Sequence, residues 1–244
     1  MKRNLFCLLI IIALSGTSFT AAPLGEFPVS VDKPDPDPYD ASGFVVLTDV
    51  VPDVILEMRY FSTYNFIGHR IDGYQEPVAL CTREAALALK RASDVLRAKG
   101  YRLKVFDAYR PQCAVDHFMR WVKASSDTAM KYSFYPDIPK SQILPQSYLA
   151  RHSGHSRGST FDLTLFDDHE GREVDMGGPF DFFGEKSHYT YINITETQRR
   201  NRRILREAMV AAGFKPLPHE WWHFTLRNEP YPNTYFNFPV KSLR

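Results

Sequence analysis

Hydrophobic residues along this chain of 244 residues repeat with two different periods. Helical spacing runs from Ala85 to Leu96, with Thr82 as an N-cap and Gly100 beyond the last turn. A capping box over residues 195–198 opens another helix. Spacing and end signals together predict three helices, over residues 82–100, 112–124 and 195–213.

Alternation of apolar and polar positions marks the strands. Phe161, Leu163 and Leu165 share one face of a predicted strand, while Asp162 and Thr164 share the other. Asp162 therefore points away from the apolar layer, to a side where a metal ion can sit. The same period predicts strands over residues 45–47, 54–58, 101–105, 160–166 and 221–226.

The order of these elements indicates the fold class. Helices and strands follow each other without regular βαβ alternation, so we predict an α+β fold. We expect a single domain with an antiparallel sheet, helices packed on one side of it and, on the face that carries Asp162, a candidate metal site at the sheet. Residues 125–149 carry three prolines and no clear period, which favours a loop or lid over a site.

The N-terminal segment is typical of an exported protein. Lys2 and Arg3 precede a short apolar run and a stretch of small residues, so residues 1–22 are predicted to be a cleaved signal peptide. Residues 23–42 are rich in Pro and Asp and are expected to be an extended linker. The folded domain is then predicted to be residues 43–244, exported to the periplasm and without stable membrane insertion after cleavage.

Two cysteines, Cys81 and Cys113, remain in the mature chain. In an exported protein such a pair is either a disulfide or two separate thiols, and spacing does not decide between them.

Charge gives little indication of a macromolecular partner. The formal net charge is +2, and the basic residues are scattered apart from five arginines between positions 199 and 206. Apolar residues interleave with these arginines at helical spacing, which predicts a solvated helix face. No nucleic-acid partner is expected.

Two short motifs supply the residues for a catalytic zinc site. S-G-H-S-R-G-S-T-F-D at 153–162 offers His155 and Asp162, and P-H-E-W-W-H at 218–223 offers His223 with Glu220 beside it. A catalytic zinc ion takes three nitrogen or oxygen ligands and keeps a fourth position open for water. A carboxylate outside the ligand set then serves as general base. This set is typical of a metallohydrolase.

The H-E-W-W-H run also matches the helical motif in which both histidines bind zinc. Pro216 and Pro218 precede it, however, and its strand-forming residues alternate with the period of a strand. Residues 219 and 223 would then lie roughly 13 Å apart along one face, too far to share an ion. His219 is therefore predicted to lie outside the ligand set.

Several motifs together resemble the D-alanyl-D-alanine dipeptidases, zinc peptidases related to the vancomycin-resistance dipeptidase. The resemblance runs from about residue 51 to the C-terminus and rests on D-A-Y-R-P, S-G-H-S-R-G-S-T-F-D-L-T-L, F-D-F-F, E-W-W-H and E-P-Y-P-N-T-Y-F-N-F-P-V. It implies one Zn²⁺ per chain on His155, Asp162 and His223, with Glu220 as general base.

The resemblance also implies roles for four further residues. Arg110 is expected to stabilise the tetrahedral intermediate; without the resemblance, it is equally suited to a structural ion pair with Asp107 or Asp116. Tyr60, Ser153 and Asp181 are expected to hold the substrate's ammonium group. Asp181 lies after a turn and among aromatic residues, where a carboxylate is poorly solvated unless it meets a cation.

The expected function is zinc-dependent hydrolysis of the small dipeptide D-Ala-D-Ala, a preference that rests wholly on the resemblance. The family's resistance enzymes work in the cytoplasm, whereas this chain carries a signal. We therefore expect a role in cell-wall peptide turnover or salvage. The alternatives are a D,D-carboxypeptidase or peptidoglycan endopeptidase on the same scaffold, and a non-catalytic zinc-binding module.

Overall fold

The structure is a computed structural model that describes residues 35–243. The order of helices and strands in this part of the chain is β1 (Phe44–Val46), α1 (Leu47–Val50), β2 (Ile55–Leu56), β3 (Leu80–Thr82), α2 (Arg83–Arg97), β4 (Tyr101–Asp107), α3 (Gln112–Lys123), α4 (Lys131–Phe134), β5 (Thr160–Asp167), β6 (Arg172–Glu173), α5 (Glu196–Ala211), β7 (Phe214–Leu217) and β8 (Glu220–Leu226). These elements form a single mixed α/β domain.

The main sheet has the strand order β2-β4-β5-β8-β7, with β6 paired to β5, and a separate small sheet joins β1 to β3. Strand β2 runs parallel to β4, and the other pairs are antiparallel. The prediction of an antiparallel sheet is therefore wrong for this one pair. Because the connection from β2 to β4 contains helix α2, it is long enough for the parallel return that a tight hairpin cannot make.

Strand β5 separates the apolar core from the candidate site. Phe161, Leu163 and Leu165 are fully buried on one face, as their alternation predicts. Helices α2 and α5 pack against each other, and they contact β4 and β7 respectively.

Helix α3 departs from the predicted arrangement of helices. Its residues Val115 and Phe118 line the same cavity as Asp162, on the other side of β5. The expectation of helices on one side of the sheet is therefore right for α2 and α5 and wrong for α3.

The helix starts agree with the predicted capping signals. The Thr82 side chain accepts a hydrogen bond from Ala85 N at the start of α2. At α5, Thr195 Oγ1 accepts from Gln198 N, and the Gln198 side chain accepts from Thr195 N, which completes the capping box. These bonds satisfy amide groups that have no partner within the helix.

The segment over residues 125–149, predicted to be a loop or lid, contains only short helical pieces. Lys140 Nζ donates to the carbonyl oxygens of Ala124 and Asp127 at 2.7 and 2.6 Å, which closes this loop on itself. The last residues of the segment, Ser147 to Leu149, form part of the wall of the site cavity.

The predicted signal peptide, and the predicted linker up to residue 34, lie outside the described residues. Residues 35–42 contain neither helix nor strand. Within residues 35–243, no helix has both the length and the apolar character needed to cross a membrane. Cys81 is buried in β3, Cys113 is half-buried, and both are free thiols, so the disulfide does not form.

Candidate active site

Three segments bring the predicted metal ligands together. His155 lies in a short 3-10 turn, Gly154–Arg157, while Asp162 and His223 lie on the neighbouring strands β5 and β8. Asp162 and His223 face each other directly in the antiparallel register, where cross-strand side chains are close neighbours.

The turn that carries His155 is fixed at its C-terminal end by two features. Gly158 follows it with φ +78°, a left-handed conformation that turns the chain into β5 and that residues with a Cβ rarely adopt. Arg157 Nε and Nη2 donate to the two carboxylate oxygens of Glu229 at 2.8 and 2.7 Å. This bidentate pair ties the turn to the C-terminal segment, so His155 is attached to a rigid support.

The three predicted ligands form one compact cluster. Their donor atoms all lie within 4.8 Å of one another. His155 Nε2 is 3.2 Å from Asp162 Oδ2, and His223 Nδ1 is 3.0 Å from Asp162 Oδ1. The two imidazole nitrogens are 3.3 Å apart. These distances allow all three side chains to contact one small ion.

The tautomer of His155 leaves the correct nitrogen available for a metal. His155 Nδ1 is 2.7 Å from the carbonyl oxygen of Ala108, which only accepts hydrogen bonds, so Nδ1 carries the proton. The lone pair of Nε2 then points into the cluster. Such a bond behind a ligating imidazole is the usual way in which proteins orient it.

The electrostatics of the cluster suit a cation. Asp162 Oδ1 is buried and makes no hydrogen bond of good geometry within the described residues. Burial raises the pKa of Asp162, but the neighbouring imidazoles of His155 and His223 outweigh burial and hold it well below its usual range.

The pKa of His223 has the complementary shift. Burial lowers this pKa, whereas the carboxylates of Asp162 and Glu220 raise it to about 10. The charges that attract a proton to His223 also attract a metal cation. Two imidazoles and one carboxylate are the donor set that zinc prefers, so the residues fit this ion.

Glu220 lies beside the cluster and lines the same cavity. Its Oε2 is 3.3 Å from His223 Nδ1. In a regular strand, residues three positions apart point to opposite faces. Glu220 is the first residue of β8, next to a register shift between Pro216 and Leu217 on β7, and there the strand geometry is irregular. This irregularity puts the carboxylate on the side of His223.

Arg110 is buried between the cluster and two aromatic rings. Its Nε donates to Asp107 Oδ2 at 2.9 Å, and its Nη2 lies 3.5 Å from Asp162 Oδ2. The guanidinium carbon is 4.8 Å from the ring centroid of Tyr60 and 5.2 Å from that of Phe118. Of the two structural partners that the sequence offered, Arg110 pairs with Asp107, while its outer nitrogens remain directed towards the cavity.

Tyr60 and Asp181 form a polar pair in the cavity wall. The Tyr60 hydroxyl donates to Asp181 Oδ2 at 2.8 Å, and both residues are buried. Burial and the charge of Asp162 raise the pKa of Asp181 well above its ordinary value, against the opposing effects of Arg110 and Tyr60. A carboxylate in this environment gains strongly from a cationic partner.

The backbone of Asp181 adopts the left-handed conformation, with φ +61°. This conformation is uncommon for residues other than glycine and clusters at functional sites. Ser153, the third predicted ammonium contact, also lines the cavity, and its Oγ accepts a hydrogen bond from His155 N at 3.3 Å.

These groups surround one cavity of about 300 Å³. This volume is at the small end of the range for ligand pockets and suits a small molecule. All eight predicted site residues line it, namely Tyr60, Arg110, Ser153, His155, Asp162, Asp181, Glu220 and His223. Aromatic side chains of Phe118, Tyr148 and Phe183 complete the walls.

Asp107 is the residue whose position in the site the sequence analysis did not recognise. Besides holding Arg110, it accepts from the Tyr74 hydroxyl at 2.6 Å and lies 3.4 Å from His155 Nδ1. Its place in the D-A-Y-R-P motif, three residues before Arg110, was the available signal. His219 is exposed and is absent from the ligand cluster, as predicted, and its ring lies at a tilt beside that of His188, with the ring centroids 4.8 Å apart.

The site has the parts of a metallopeptidase: a cluster of three candidate ligands, an adjacent carboxylate outside that cluster and a buried guanidinium facing the same cavity. Comparison with known proteins agrees. The sequence model of the D-ala-D-ala dipeptidase family matches residues 40–241. The D-alanyl-D-alanine dipeptidase of Enterococcus faecalis is 42% identical over 82% of this chain and 98% of its own length. That of Enterococcus faecium is 41% identical over the same shares.

The chain belongs to the D-ala-D-ala dipeptidase family, and it is an enzyme of the metallopeptidase class. Among solved structures, VanYB in complex with D-alanine-D-alanine matches with a TM-score of 0.40 and 16% identity. The match covers 64% of this chain and 76% of that one.

Proposed function

We propose that this protein is a zinc-dependent D-alanyl-D-alanine dipeptidase that binds one Zn²⁺ per chain. The observation that carries the proposal is the arrangement of the cavity: the cluster of His155, Asp162 and His223 shares one small space with Glu220 and Asp181. The two relatives in Enterococcus are named D-alanyl-D-alanine dipeptidases, which supports D-Ala-D-Ala as the substrate. The three clustered residues would hold the metal ion.

A bound zinc ion supplies a Lewis acid that acidifies water and polarises a carbonyl group. Glu220 is the general base in this proposal. Its carboxylate lies next to the cluster, outside the ligand set, and accepts the proton of the attacking water. It then delivers that proton to the departing amine, so one side chain acts first as base and afterwards as acid.

Arg110 stabilises the negative charge that develops on the carbonyl oxygen. The position of its outer nitrogens beside Asp162 supports this role. Asp107 holds the guanidinium in place before the substrate arrives, so little reorganisation is needed during the reaction.

The substrate's ammonium group is held by Asp181, Tyr60 and Ser153. A free dipeptide has a cationic N-terminus, and burial together with the charge of Asp162 raises the pKa of Asp181, so this carboxyl group would gain from a cationic partner. Recognition of the ammonium group distinguishes a dipeptidase from a carboxypeptidase, which acts on longer chains.

One assay with purified protein and zinc tests this function. We expect fast release of D-alanine from D-Ala-D-Ala and slow or no cleavage of N-acetyl-D-Ala-D-Ala and of a D-Ala-D-Ala-terminated pentapeptide. Faster cleavage of the pentapeptide would instead identify a D,D-carboxypeptidase. Absence of cleavage of all three compounds by zinc-loaded protein would refute the proposed substrate class.

We further propose that the enzyme is exported to the periplasm and works in cell-wall peptide turnover or salvage. The charge and apolar pattern of residues 1–22 support export. Full-length protein should fractionate with the periplasm and have lost its N-terminal segment, whereas a chain without residues 1–22 should stay in the cytoplasm. If the full-length chain and the chain without residues 1–22 were found in the same compartment, export would be contradicted.

A further inference from the structure

Helix α5 carries five arginines between positions 199 and 206, and one of them differs from the others. Arg202 is only 2% exposed, whereas Arg199, Arg200 and Arg203 are exposed to solvent. The prediction of a solvated helix face is therefore wrong for Arg202. A buried guanidinium is costly, so its contacts must compensate for the lost hydration.

Arg202 uses its guanidinium to bind backbone carbonyl groups. Its Nε donates to Met176 O at 2.6 Å, its Nη1 to His188 O at 2.9 Å and its Nη2 to Lys186 O at 2.9 Å. Within the described residues, its side chain makes no ion pair with a carboxylate. Burial lowers the pKa of Arg202 to about 10, against the opposing charge of Asp175, so the side chain stays charged at neutral pH.

These three carbonyl groups lie at the two ends of one loop, residues 176–188. The planar guanidinium holds its donors in a fixed relation, and it therefore sets the distance between the loop ends. The preceding residue on α5, Asn201, adds a bond from its Nδ2 to Asp175 O at 2.9 Å. Helix α5 thus anchors both the entry and the exit of the loop.

The same loop carries Asp181 into the active-site cavity. Asp181 holds a left-handed backbone conformation, with φ +61°, which an unsupported loop would relax. Between the anchored ends, Phe183 N donates to Phe134 O at 2.8 Å, and the Tyr60 hydroxyl contacts the Asp181 carboxylate. Phe180 and Phe183, on either side of Asp181, are buried against other aromatic rings and hold the middle of the loop, while the Arg202 contacts fix its two ends.

We propose that Arg202 is a positioning residue for substrate recognition: by clamping residues 176–188, it holds the Asp181 carboxylate where the ammonium group of the dipeptide binds. This inference rests on the proposed function, since it takes Asp181 as the ammonium site. Arg202 touches neither the substrate nor the metal ligands in this proposal. Its contribution is selective for substrates that present a cation to Asp181.

The test compares three variants with two substrates. Arg202→Met removes all three hydrogen bonds, Arg202→Lys keeps the charge but not the fork of donors, and Arg203→Met is the matched control on the same helix. The substrates are D-Ala-D-Ala and N-propionyl-D-alanine, which lacks only the amino group. Hydrogen–deuterium exchange of the amides in residues 176–188 is measured in parallel, as a readout independent of activity.

For Arg202→Met we expect kcat/KM for D-Ala-D-Ala to fall by about 100-fold, mainly through KM, as is typical when a binding group is misplaced by about 1 Å. The kcat/KM for N-propionyl-D-alanine should stay at its wild-type value, and exchange should accelerate in residues 176–188. Arg202→Lys should restore part of the loss, and Arg203→Met should behave like the wild type.

Two results would overturn the inference: equal losses for both substrates, or unchanged exchange in residues 176–188. If Arg202→Met does not fold, the same comparison of the two substrates and of hydrogen–deuterium exchange is made with Arg202→Lys, and its result supports or overturns the inference. Asp181→Ala in the same assay separates this inference from the proposed function. If Asp181→Ala discriminates between the substrates and the Arg202 variants do not, only the role of Arg202 fails. If Asp181→Ala does not discriminate either, the ammonium site itself is wrong.

Discussion

At the scale of single residues, the two oxygens of Asp162 face different neighbours. Oδ2 lies near His155 Nε2 and Arg110 Nη2, at 3.2 and 3.5 Å, whereas Oδ1 faces His223 and forms no hydrogen bond of good geometry with any residue in the described part of the chain. The same carboxylate therefore connects the cluster of candidate metal ligands with the guanidinium that faces the cavity. Any substitution at Asp162 is expected to affect both.

Glu220→Gln should preserve the fold and zinc content while lowering kcat by about 10²- to 10⁴-fold, the range typical of a lost general base. The amide has the size of the carboxylate but does not accept a proton from water. Zinc content by atomic emission and kcat for D-Ala-D-Ala are the measurements.

His219→Ala is the control for this substitution, because His219 belongs to the same motif but lies outside the ligand cluster. We expect nearly normal activity and a full complement of zinc. Loss of zinc in His219→Ala together with its retention in His155→Ala would contradict the assigned ligand set.

Asp181→Ala should lower kcat/KM for D-Ala-D-Ala much more than kcat/KM for N-acetyl-D-Ala-D-Ala, because only the free dipeptide presents a cation to this carboxylate. Removing one side of a buried charge pair typically costs about 2 to 5 kcal/mol. The ratio of kcat/KM values for the two substrates measures the effect.

Arg110→Ala is the contrasting variant. The interaction of the Arg110 guanidinium grows with the charge on the carbonyl oxygen. We therefore expect Arg110→Ala to lower kcat for every peptide that is cleaved, which corresponds to a loss of about 3 kcal/mol in transition-state stabilisation.

The outcome that would contradict the role of Asp181 is an equal loss of kcat/KM for the free and the acetylated substrate in Asp181→Ala. That result would show that Asp181 has a structural role, and the assignment as a dipeptidase would lose its main physical support.

At the scale of secondary structure, helix α5 packs on the sheet and also carries Arg202, which contacts the loop of Asp181. The stability of this helix can therefore be tested separately from the activity of the site. Thr195→Ala removes one half of the capping box at its start. We expect a loss of about 1 kcal/mol in the free energy of unfolding, with kcat per folded molecule unchanged. Urea denaturation followed by circular dichroism measures this loss.

Thr197→Ala is the matched control, because it removes a threonine hydroxyl two residues later, from an exposed position within the helix. This variant should leave the denaturation midpoint nearly unchanged. Similar shifts for both variants would mean that the effect comes from helix propensity and not from the cap.

At the scale of the whole molecule, the three candidate metal ligands join β5, β8 and the turn before β5 at one point. Removal of the metal with a chelator should abolish activity and lower Tm, and added Zn²⁺ should restore both. Mass action gives a stabilisation of about 2.7 kcal/mol when free zinc is 100 times its Kd. His223→Ala should show no such zinc-dependent rise in Tm; an equal rise in this variant would place the bound ion elsewhere.

The sequence alone determined the features that depend on near neighbours along the chain. The period of residues 160–166 set which side chains of β5 enter the core, and Thr195 with Gln198 set the start of α5, because both effects act within a few residues. The strand period and the two prolines before H-E-W-W-H separated His219 from the ligands in the same way. Motif resemblance added the remaining site residues, all of which line one cavity.

Only the tertiary structure decided which distant segments meet. The parallel pairing of β2 with β4 and the placement of α3 beside the cavity follow from the path of the connections, which spacing does not encode. The burial of Arg202 depends on three carbonyl groups of a loop that begins 26 residues earlier. An arginine at a helical surface position has the same local pattern whether water or backbone oxygens surround it. The difference lies entirely in long-range packing.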